Sequence, residues 1–146
     1  MIVLDTSVFV DAIIPFRKDR HELASGVVAL ISEKGLELYE PKLLIVELSG
    51  ILIRFKTIDT VKEHIESILT FINILNYHEL HEISLEVALS TGCRAIDAFF
   101  IACAKRTDSI LISNDELQVL NARKAGVKSF YLLKESETIR QELGIL

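Results

Sequence analysis

The sequence predicts an α/β fold, a three-layer α/β/α domain built on a five-stranded parallel sheet. Short apolar or β-branched runs alternate with longer segments of helical periodicity, a pattern typical of parallel sheets covered by helices on both faces. Half of the 146 residues are hydrophobic, which is enough for a substantial core. No break in composition and no internal repeat divides the chain, so we expect residues 1–146 to form a single domain.

Five segments are predicted as strands because they are short, apolar or β-branched, and lie between helical patterns. They are residues 2–4, 36–39, 79–83, 109–112 and 129–133. Gly35 and Gly126 each precede one of these strands, where a helix C-terminus requires a residue that adopts positive φ. We therefore expect two of the strands to follow directly from a helix end.

The longest helical pattern covers residues 57–76, where apolar residues recur at spacings of three and four. Thr60 and Glu63 have the spacing of a capping box near its start. A second helix is expected over residues 43–55, after Pro41, because proline is tolerated at the beginning of a helix.

Two further helices are expected in the second half of the chain. Ser84 can cap a short helix that ends near Gly92, and another helix should cover residues 94–106. In sheets of this class, ligands bind beyond the carboxyl ends of the strands, where the strand order reverses. Residues that follow strands or begin helices are therefore candidates for a functional site.

Composition excludes several classes of protein. The longest apolar stretches, such as residues 98–104, are too short for a membrane helix, and the N-terminus lacks the basic region of a signal peptide. Cys93 and Cys103 lack metal-site spacing and are expected to be free thiols in a reducing compartment. We therefore expect a cytoplasmic protein.

Two acidic residues follow predicted strands. Asp5 comes immediately after strand 2–4, and Asp115 follows strand 109–112 by a few residues. If these strands flank the point where the strand order reverses, the two carboxylates face each other across it. Taken alone, either residue can equally be a helix cap or a turn residue.

Two other acids interrupt apolar helices: Glu47 within LLIVEL and Asp97 within AIDAFFIA. A carboxylate in such surroundings is destabilising unless it is paired or coordinates a metal. Both residues lie near expected helix N-termini, where the helix dipole favours negative charge. Two simpler explanations stay open. Asp97 can pair with Arg94 three residues earlier, and Glu47 can lie on a solvent-exposed stripe.

The four acids come from four separate elements and can converge on one point. Mutual repulsion would then raise some of their pKa values, and hard cations with oxygen ligands, Mg²⁺ or Mn²⁺, resolve that conflict. Two such ions can activate a water molecule and stabilise the leaving oxygen of a phosphodiester. No histidine or cysteine lies in these segments, which disfavours zinc. The pattern predicts an acidic site for one or two divalent cations.

The net charge of −5 argues at first against a nucleic-acid partner, because proteins that bind phosphate backbones are usually basic. When the four candidate acids are set aside from the 21, however, the others nearly balance the 16 basic residues. Lys42, Arg54 and Arg94 are candidates to contact substrate phosphates, although solvated surface charge explains each equally well. The charge balance thus leaves a nucleic-acid substrate open.

Four segments carry a resemblance to a known family. Residues 3–7 (VLDTS), Glu47 in an apolar helix after Pro41, residues 94–98 (RAIDA) and residues 111–115 (LISND) resemble the PIN-domain nucleases. The length and single-domain form look most like the VapC-type toxins of prokaryotic type II toxin–antitoxin systems. The resemblance extends from Ile2 to about residue 133, and its specificity lies in the order and spacing of all four segments.

The resemblance implies a PIN-like sheet in the order 3-2-1-4-5 and Mg²⁺- or Mn²⁺-dependent cleavage of RNA. It also implies a homodimer that a small antitoxin protein holds inactive. Thr6 and Ser113 fall where the family places small hydroxyl residues that hydrogen-bond to the acids. By position, the family's catalytic and metal-binding acids correspond to Asp5, Glu47, Asp97 and Asp115.

Three other functions compete with that of a ribonuclease. A phosphatase of the haloacid dehalogenase type needs a second Asp two residues after the first, where this chain has Ser7. A serine hydrolase is not supported, because the Gly-x-Ser-x-Gly motif is missing and His78 and His81 are expected in a loop beside strand 79–83. The alternative that stays open is a non-catalytic binding or scaffold module in RNA processing, which would use the acids only as caps.

Overall fold

Within residues 1–144, which a computed structural model of the protein describes, five parallel strands form one sheet in the order β3-β2-β1-β4-β5. The predicted sheet order is therefore confirmed. The order reverses between β1 and β4, so a ligand site is expected at their carboxyl ends. The strands are β1 (Ile2–Leu4), β2 (Leu38–Pro41), β3 (Ile72–Leu75), β4 (Ile110–Ser113) and β5 (Ser129–Tyr131).

Helices cover both faces of this sheet. Successive side chains of a strand point to opposite faces, and all three residues of β1 are buried, so neither face is open to solvent at the centre. α1 packs on α2, and α5 packs on α6. The described helices are α1 (Thr6–Ile13), α2 (Lys18–Glu33), α3 (Leu43–Leu52), α4 (Ile58–Leu69), α5 (Tyr77–Thr91), α6 (Ala95–Thr107), α7 (Glu116–Lys124) and α8 (Leu132–Glu142).

The expected third strand at residues 79–83 is wrong. Those residues lie inside α5, and the third strand is Ile72–Leu75, which the sequence pattern assigns to the end of a helix over residues 57–76. The apolar residues of β3 continue the spacing of α4, so periodicity alone does not mark the end of the helix at Leu69. His78 and His81 consequently lie on an exposed helix surface, and not in a loop beside a strand.

Three predicted boundaries also need correction. α5 begins after Asn76, which forms a capping box with Glu79, whereas Ser84 lies in mid-helix and its hydroxyl donates to the carbonyl of His81 at 2.7 Å. α4 is capped by Thr57, whose Oγ1 accepts from the Thr60 amide at 3.3 Å, and not by a capping box at Thr60 and Glu63. The fifth strand ends earlier than expected, because α8 begins directly after it.

Other local predictions are confirmed. Gly35 and Gly126 have φ of 62° and 84° at the ends of α2 and α7, as a helix C-terminus before a strand requires. Gly92 ends α5 with φ 70°. No single helix of residues 1–144 is long and apolar enough to cross a membrane. The pair α5 and α6, bent by 116°, meets that test only when both helices are taken together.

Candidate active site

Asp5 lies at the carboxyl end of β1, beside β4. Leu4 pairs with Ile112 in the ladder between these strands, and the Asp5 amide donates to the Ile112 carbonyl at 3.0 Å. This register brings Asp5 next to Ser113, the last residue of β4. The two sequence segments VLDTS and LISND therefore meet at the point where the strand order reverses.

The Asp5 carboxylate is buried and held from one side. Its Oδ2 accepts hydrogen bonds from the Ser7 hydroxyl at 2.6 Å, from the Ser113 hydroxyl at 3.0 Å and from the Ser7 amide at 3.3 Å. Burial raises the pKa of Asp5, the hydrogen bonds oppose that rise, and the nearby charge of Asp97 adds to it. Among residues 1–144 no donor is bonded to Oδ1, so this oxygen is available to a ligand.

Glu47 faces the same cluster from α3. The hydroxyl of Thr6, in α1, donates to Oε2 of Glu47 at 2.6 Å and so links α1 to α3. Partial burial raises the pKa of Glu47, the Thr6 hydrogen bond lowers it, and the charges of Asp5 and Asp97 raise it further. The contact with Thr6 and the repulsion from two acids are not those of a residue on a solvent-exposed stripe.

Asp97 is buried in the first turn of α6 and is paired with Arg94. The Arg94 Nε donates to Oδ2 of Asp97 at 3.0 Å, as the simpler explanation of this acid expects. The same guanidinium also lies near Asp115, with 3.8 Å between Nη2 of Arg94 and Oδ2 of Asp115. Asp97 raises the pKa of Arg94 most, and Asp115 and Glu47 add to the rise. One exposed cation thus faces three of the four acids.

Asp115 combines both roles that its sequence position allows. Its Oδ1 accepts from the amides of Leu117 and Gln118, at 3.0 and 3.4 Å, and so caps α7. Its Oδ2 faces Arg94. The cap therefore leaves one carboxylate oxygen near Arg94, which is bonded to Asp97.

A hydrogen-bond network that no sequence motif marks supports the Asp5 carboxylate through Ser7. The Ser7 hydroxyl donates to Asp5 and accepts a hydrogen bond from the backbone amide of Asn114 at 2.9 Å. The Asn114 side chain donates to Oδ2 of Asp11 at 2.7 Å, and Arg20 Nε donates to the same oxygen at 2.9 Å. The available signal was the spacing of Ser7 and Asp11, four residues apart on one helix face.

Glu40 is a further buried acid that sequence analysis did not single out. It lies in β2, fully buried, and its Oε1 accepts from the Leu4 amide at 2.8 Å. The β1–β2 ladder pairs only Ile2 with Leu38, so the Glu40 side chain takes the place of the next ladder acceptor. Burial raises the pKa of Glu40 well above its ordinary value, although the Leu4 hydrogen bond opposes this rise.

The donor set suits a hard divalent cation in its chemistry. All four side chains are carboxylates, and burial and mutual repulsion raise the pKa values of Asp5 and Glu47, a conflict that a cation would relieve. Among residues 1–144, however, no three His, Cys, Asp or Glu side chains lie close enough together to hold a metal ion as they stand. In this arrangement Arg94 supplies positive charge to Asp97 and Asp115.

Comparison with solved structures supports the fold. FitAcB from Neisseria gonorrhoeae matches with a TM-score of 0.69 and 22% identity, over 89% of this chain and 96% of that chain. VapBC2 from Rickettsia felis, bound to a DNA fragment from its promoter, matches with a TM-score of 0.68 and 13% identity, over 89% and 98%. VapC20 from Mycobacterium tuberculosis is described as a sarcin–ricin loop cleaving toxin. It matches with a TM-score of 0.64 and 17% identity, over 78% of this chain and 88% of that chain.

Comparison by sequence identifies the family. No curated protein matches the chain. The family model of the PIN domain matches residues 2–123, which include all four acids and the strands that carry them. The resemblance noted in the sequence is thereby confirmed, and the chain belongs to the PIN-domain family.

Proposed function

We propose that the protein is an Mg²⁺- or Mn²⁺-dependent endoribonuclease and the toxin of a toxin–antitoxin pair. Membership of the PIN-domain family supports a nuclease. The observation that carries the finer proposal is the proximity of Asp5, Glu47 and Asp97 at the carboxyl end of β1, which raises the pKa values of Asp5 and Glu47, with Arg94 linking Asp97 to Asp115. Carboxylates with pKa values raised by burial and by neighbouring acids are common at functional sites.

Each acid has a role in the proposed mechanism. Asp5, Asp97 and Asp115 would hold one or two cations, which when bound would supply an activated water and charge stabilisation of the leaving oxygen. Ser7 and Ser113 orient the Asp5 carboxylate by donating to Oδ2. Glu47, oriented by Thr6, would act as a ligand or position the attacking water.

Arg94 has a second role in this proposal. Its guanidinium is bonded to Asp97 while its side chain is 78% exposed, so it can turn towards solvent without loss of packing. A cation at Asp97 would compete with Arg94 for the carboxylate. The released guanidinium would then contact the scissile phosphate or a neighbouring one.

The partners are proposed from the names of the similar structures. VapC20 is described as cleaving the sarcin–ricin loop, which supports RNA as substrate class. A further similar structure, from Klebsiella pneumoniae, is described as a toxin–antitoxin complex and matches with a TM-score of 0.57 and 15% identity, which supports a small antitoxin protein as partner. A homodimer and a cytoplasmic location stay predictions from the family resemblance.

A non-catalytic scaffold is the second candidate, because Asp5 and Asp115 both serve as helix N-caps. RNA cleavage in Mn²⁺ distinguishes the two functions. We expect Asp5→Asn and Asp97→Asn to abolish cleavage while the folded state is retained. The matched control is Asp59→Asn, which changes an exposed acid in the first turn of α4. Cleavage by Asp97→Asn at the wild-type rate would overturn the site assignment.

A further inference from the structure

Two exposed phenylalanines contact each other on the surface between helices. Phe16 lies between α1 and α2, and Phe55 lies between α3 and α4. Their rings are 59% and 52% exposed, with centroids 4.7 Å apart and ring planes at 74°. Large apolar side chains that pair at the surface mark an interaction site more often than isolated ones do. We refer to Phe16 and Phe55 as the aromatic pair.

Basic residues lie next to both members of the aromatic pair in sequence, although the whole chain has a net charge of −5. Residues 14–18 and 53–57 contain no acid, and each segment contains two basic residues. Arg17 is paired with Asp19 at 2.8 Å, and Lys18 lies 3.8 Å from Glu22. Within residues 1–144 the other two, Arg54 and Lys56, have no carboxylate within 4.0 Å.

The aromatic pair lies on the same helix pair as the acid cluster. α1 packs against α3, with Thr6 bonded to Glu47 at the start of α1 and Phe16 against Phe55 beyond the ends of both helices. Glu47 lies five positions before the end of α3 at Leu52, about 8 Å of helix rise, and Phe55 lies three residues beyond that end. At about 3.4 Å per stacked nucleotide, a strand of a few nucleotides spans this distance.

A second contact fixes this surface at the carboxyl end of the sheet. Arg20, four residues after Phe16, lies 3.4 Å from the Asn114 carbonyl oxygen, which directly precedes Asp115. The segment that carries Phe16 therefore adjoins the acid cluster and does not lie at the opposite edge of the sheet.

We propose that the aromatic pair and its flanking cations form a stacking site for single-stranded RNA on the path to the acid cluster. This inference rests on the proposed function and names where its substrate strand is held. Aromatic rings stack on any base and cations bind the phosphates between bases, the combination used by single-strand binding surfaces. A protein partner would need only the apolar rings, whereas the flanking cations favour a polyanion.

Binding of a fluorescein-labelled single-stranded RNA of about ten nucleotides tests the proposal by fluorescence anisotropy. The full chain carries Asp97→Asn and EDTA is present, so that cleavage does not interfere. We expect Phe16→Ala and Phe55→Ala each to raise Kd by about 5- to 150-fold. Phe55→Trp should keep wild-type affinity. Phe55→Leu should lose almost as much as the alanine variant, because it keeps apolar contact but cannot stack.

The cations are tested by salt dependence. Lys56→Gln should reduce the slope of log affinity against log salt concentration by about 0.7, the value for one phosphate contact on a single strand. The control is Leu89→Ala, which removes a side chain of α5 that is 80% exposed. It should change neither Kd nor slope, and thermal melting verifies that every variant is folded.

Wild-type affinity in a folded variant with both alanine substitutions would overturn the proposal. So would wild-type affinity in Phe55→Leu, since that outcome indicates apolar docking, as would a change of oligomeric state in the alanine variants with RNA binding unaltered. Failure of the proposed function is a separate result. If the wild-type chain binds RNA through the aromatic pair but never cleaves it, the nuclease proposal falls and the binding site stands.

Discussion

The Ser113 hydroxyl lies 3.0 Å from Oδ2 of Asp5 and joins the carboxyl ends of β4 and β1. The same hydroxyl accepts from the Asp115 amide at 2.9 Å, so one serine orders two of the four acids. A short hydroxyl side chain at this position thus contacts a carboxylate after the neighbouring strand and a backbone amide two residues later in its own segment.

Replacing Ser113 with alanine should therefore weaken both cation binding and the fold. The change removes one of three donors to Asp5 Oδ2 and frees the Asp115 amide, and hydrogen bonds to charged groups contribute about 1.5–3 kcal/mol. We expect Mn²⁺ affinity by calorimetry to fall by about 10- to 100-fold. Ser90→Ala, which removes a hydroxyl bonded within α5, is the control. Equal Mn²⁺ affinity in the two variants would contradict this prediction.

Glu40→Gln should change how stability depends on pH. The pKa of Glu40 is raised in the folded protein, so between its ordinary value of 4.5 and its folded value the folded state binds more protons than the unfolded state. The protonated Glu40 side chain therefore contributes fully to the free energy of unfolding below pH 4.5. This contribution is lost as the pH rises towards the folded pKa, by about 1.4 kcal/mol for each unit by which the pKa is raised.

Denaturant unfolding of Glu40→Gln should therefore show a gain in stability that grows from pH 4 towards pH 8. The amide oxygen of glutamine keeps an acceptor for the Leu4 amide. Glu86→Gln, on the exposed side of α5, serves as the comparison and should show no such trend. A gain for Glu40→Gln that is the same at every pH would contradict the burial of an ionisable carboxyl.

Arg94→Gln should strengthen cation binding and weaken RNA binding. The guanidinium competes with a cation for Asp97 and Asp115, and its removal leaves their charge to the metal. Because Arg94 is 78% exposed, the loss of its ion pairs should change stability by at most about 1 kcal/mol. The measurement is the Mn²⁺-dependent rise in melting temperature, with Arg106→Gln at the end of α6 as control. A smaller rise in Arg94→Gln than in wild type would show that Arg94 does not compete.

Asp11→Ala should destabilise the candidate site through the loss of hydrogen bonds to Asn114 and Arg20. Asp11 accepts from both Asn114 and Arg20, and its loss leaves two partly buried donors unsatisfied, at about 1–3 kcal/mol. Asn114 also donates to Ser7, so cleavage should fall with stability. Asp11→Asn, which keeps one acceptor oxygen, should restore part of both. Full cleavage by a destabilised Asp11→Ala would separate this network from the site.

Sequence patterns predicted the parts of the fold where local chemistry changes sharply. β1 and β4 are short apolar runs that end in polar, acidic segments, and Gly126 fixes where α7 gives way to β5. β3 was missed because its apolar residues continue the periodicity of α4, and the pairing of β3 with β2 is a contact between distant segments. The helical spacing of a segment does not contain that information.

The candidate site likewise contains residues that local sequence reveals and contacts that it does not. Asp5 was found because it directly follows a predicted strand, and Asp97 because an acid in an apolar helix is costly and visible in the sequence. The bracing contacts of Ser7 with Asn114, and of Glu40 with Leu4, join residues far apart in sequence and leave no local signal.

The central claim is that four acids surround a divalent cation beyond β1 and β4, and anomalous scattering from crystals soaked in Mn²⁺ tests it most directly. We predict an anomalous peak in contact with carboxylate oxygens of Asp5 and Asp97, with Asp115 or Glu47 in the same coordination shell. A crystal whose only manganese peaks lie elsewhere, or that binds none at saturating Mn²⁺, would contradict the account.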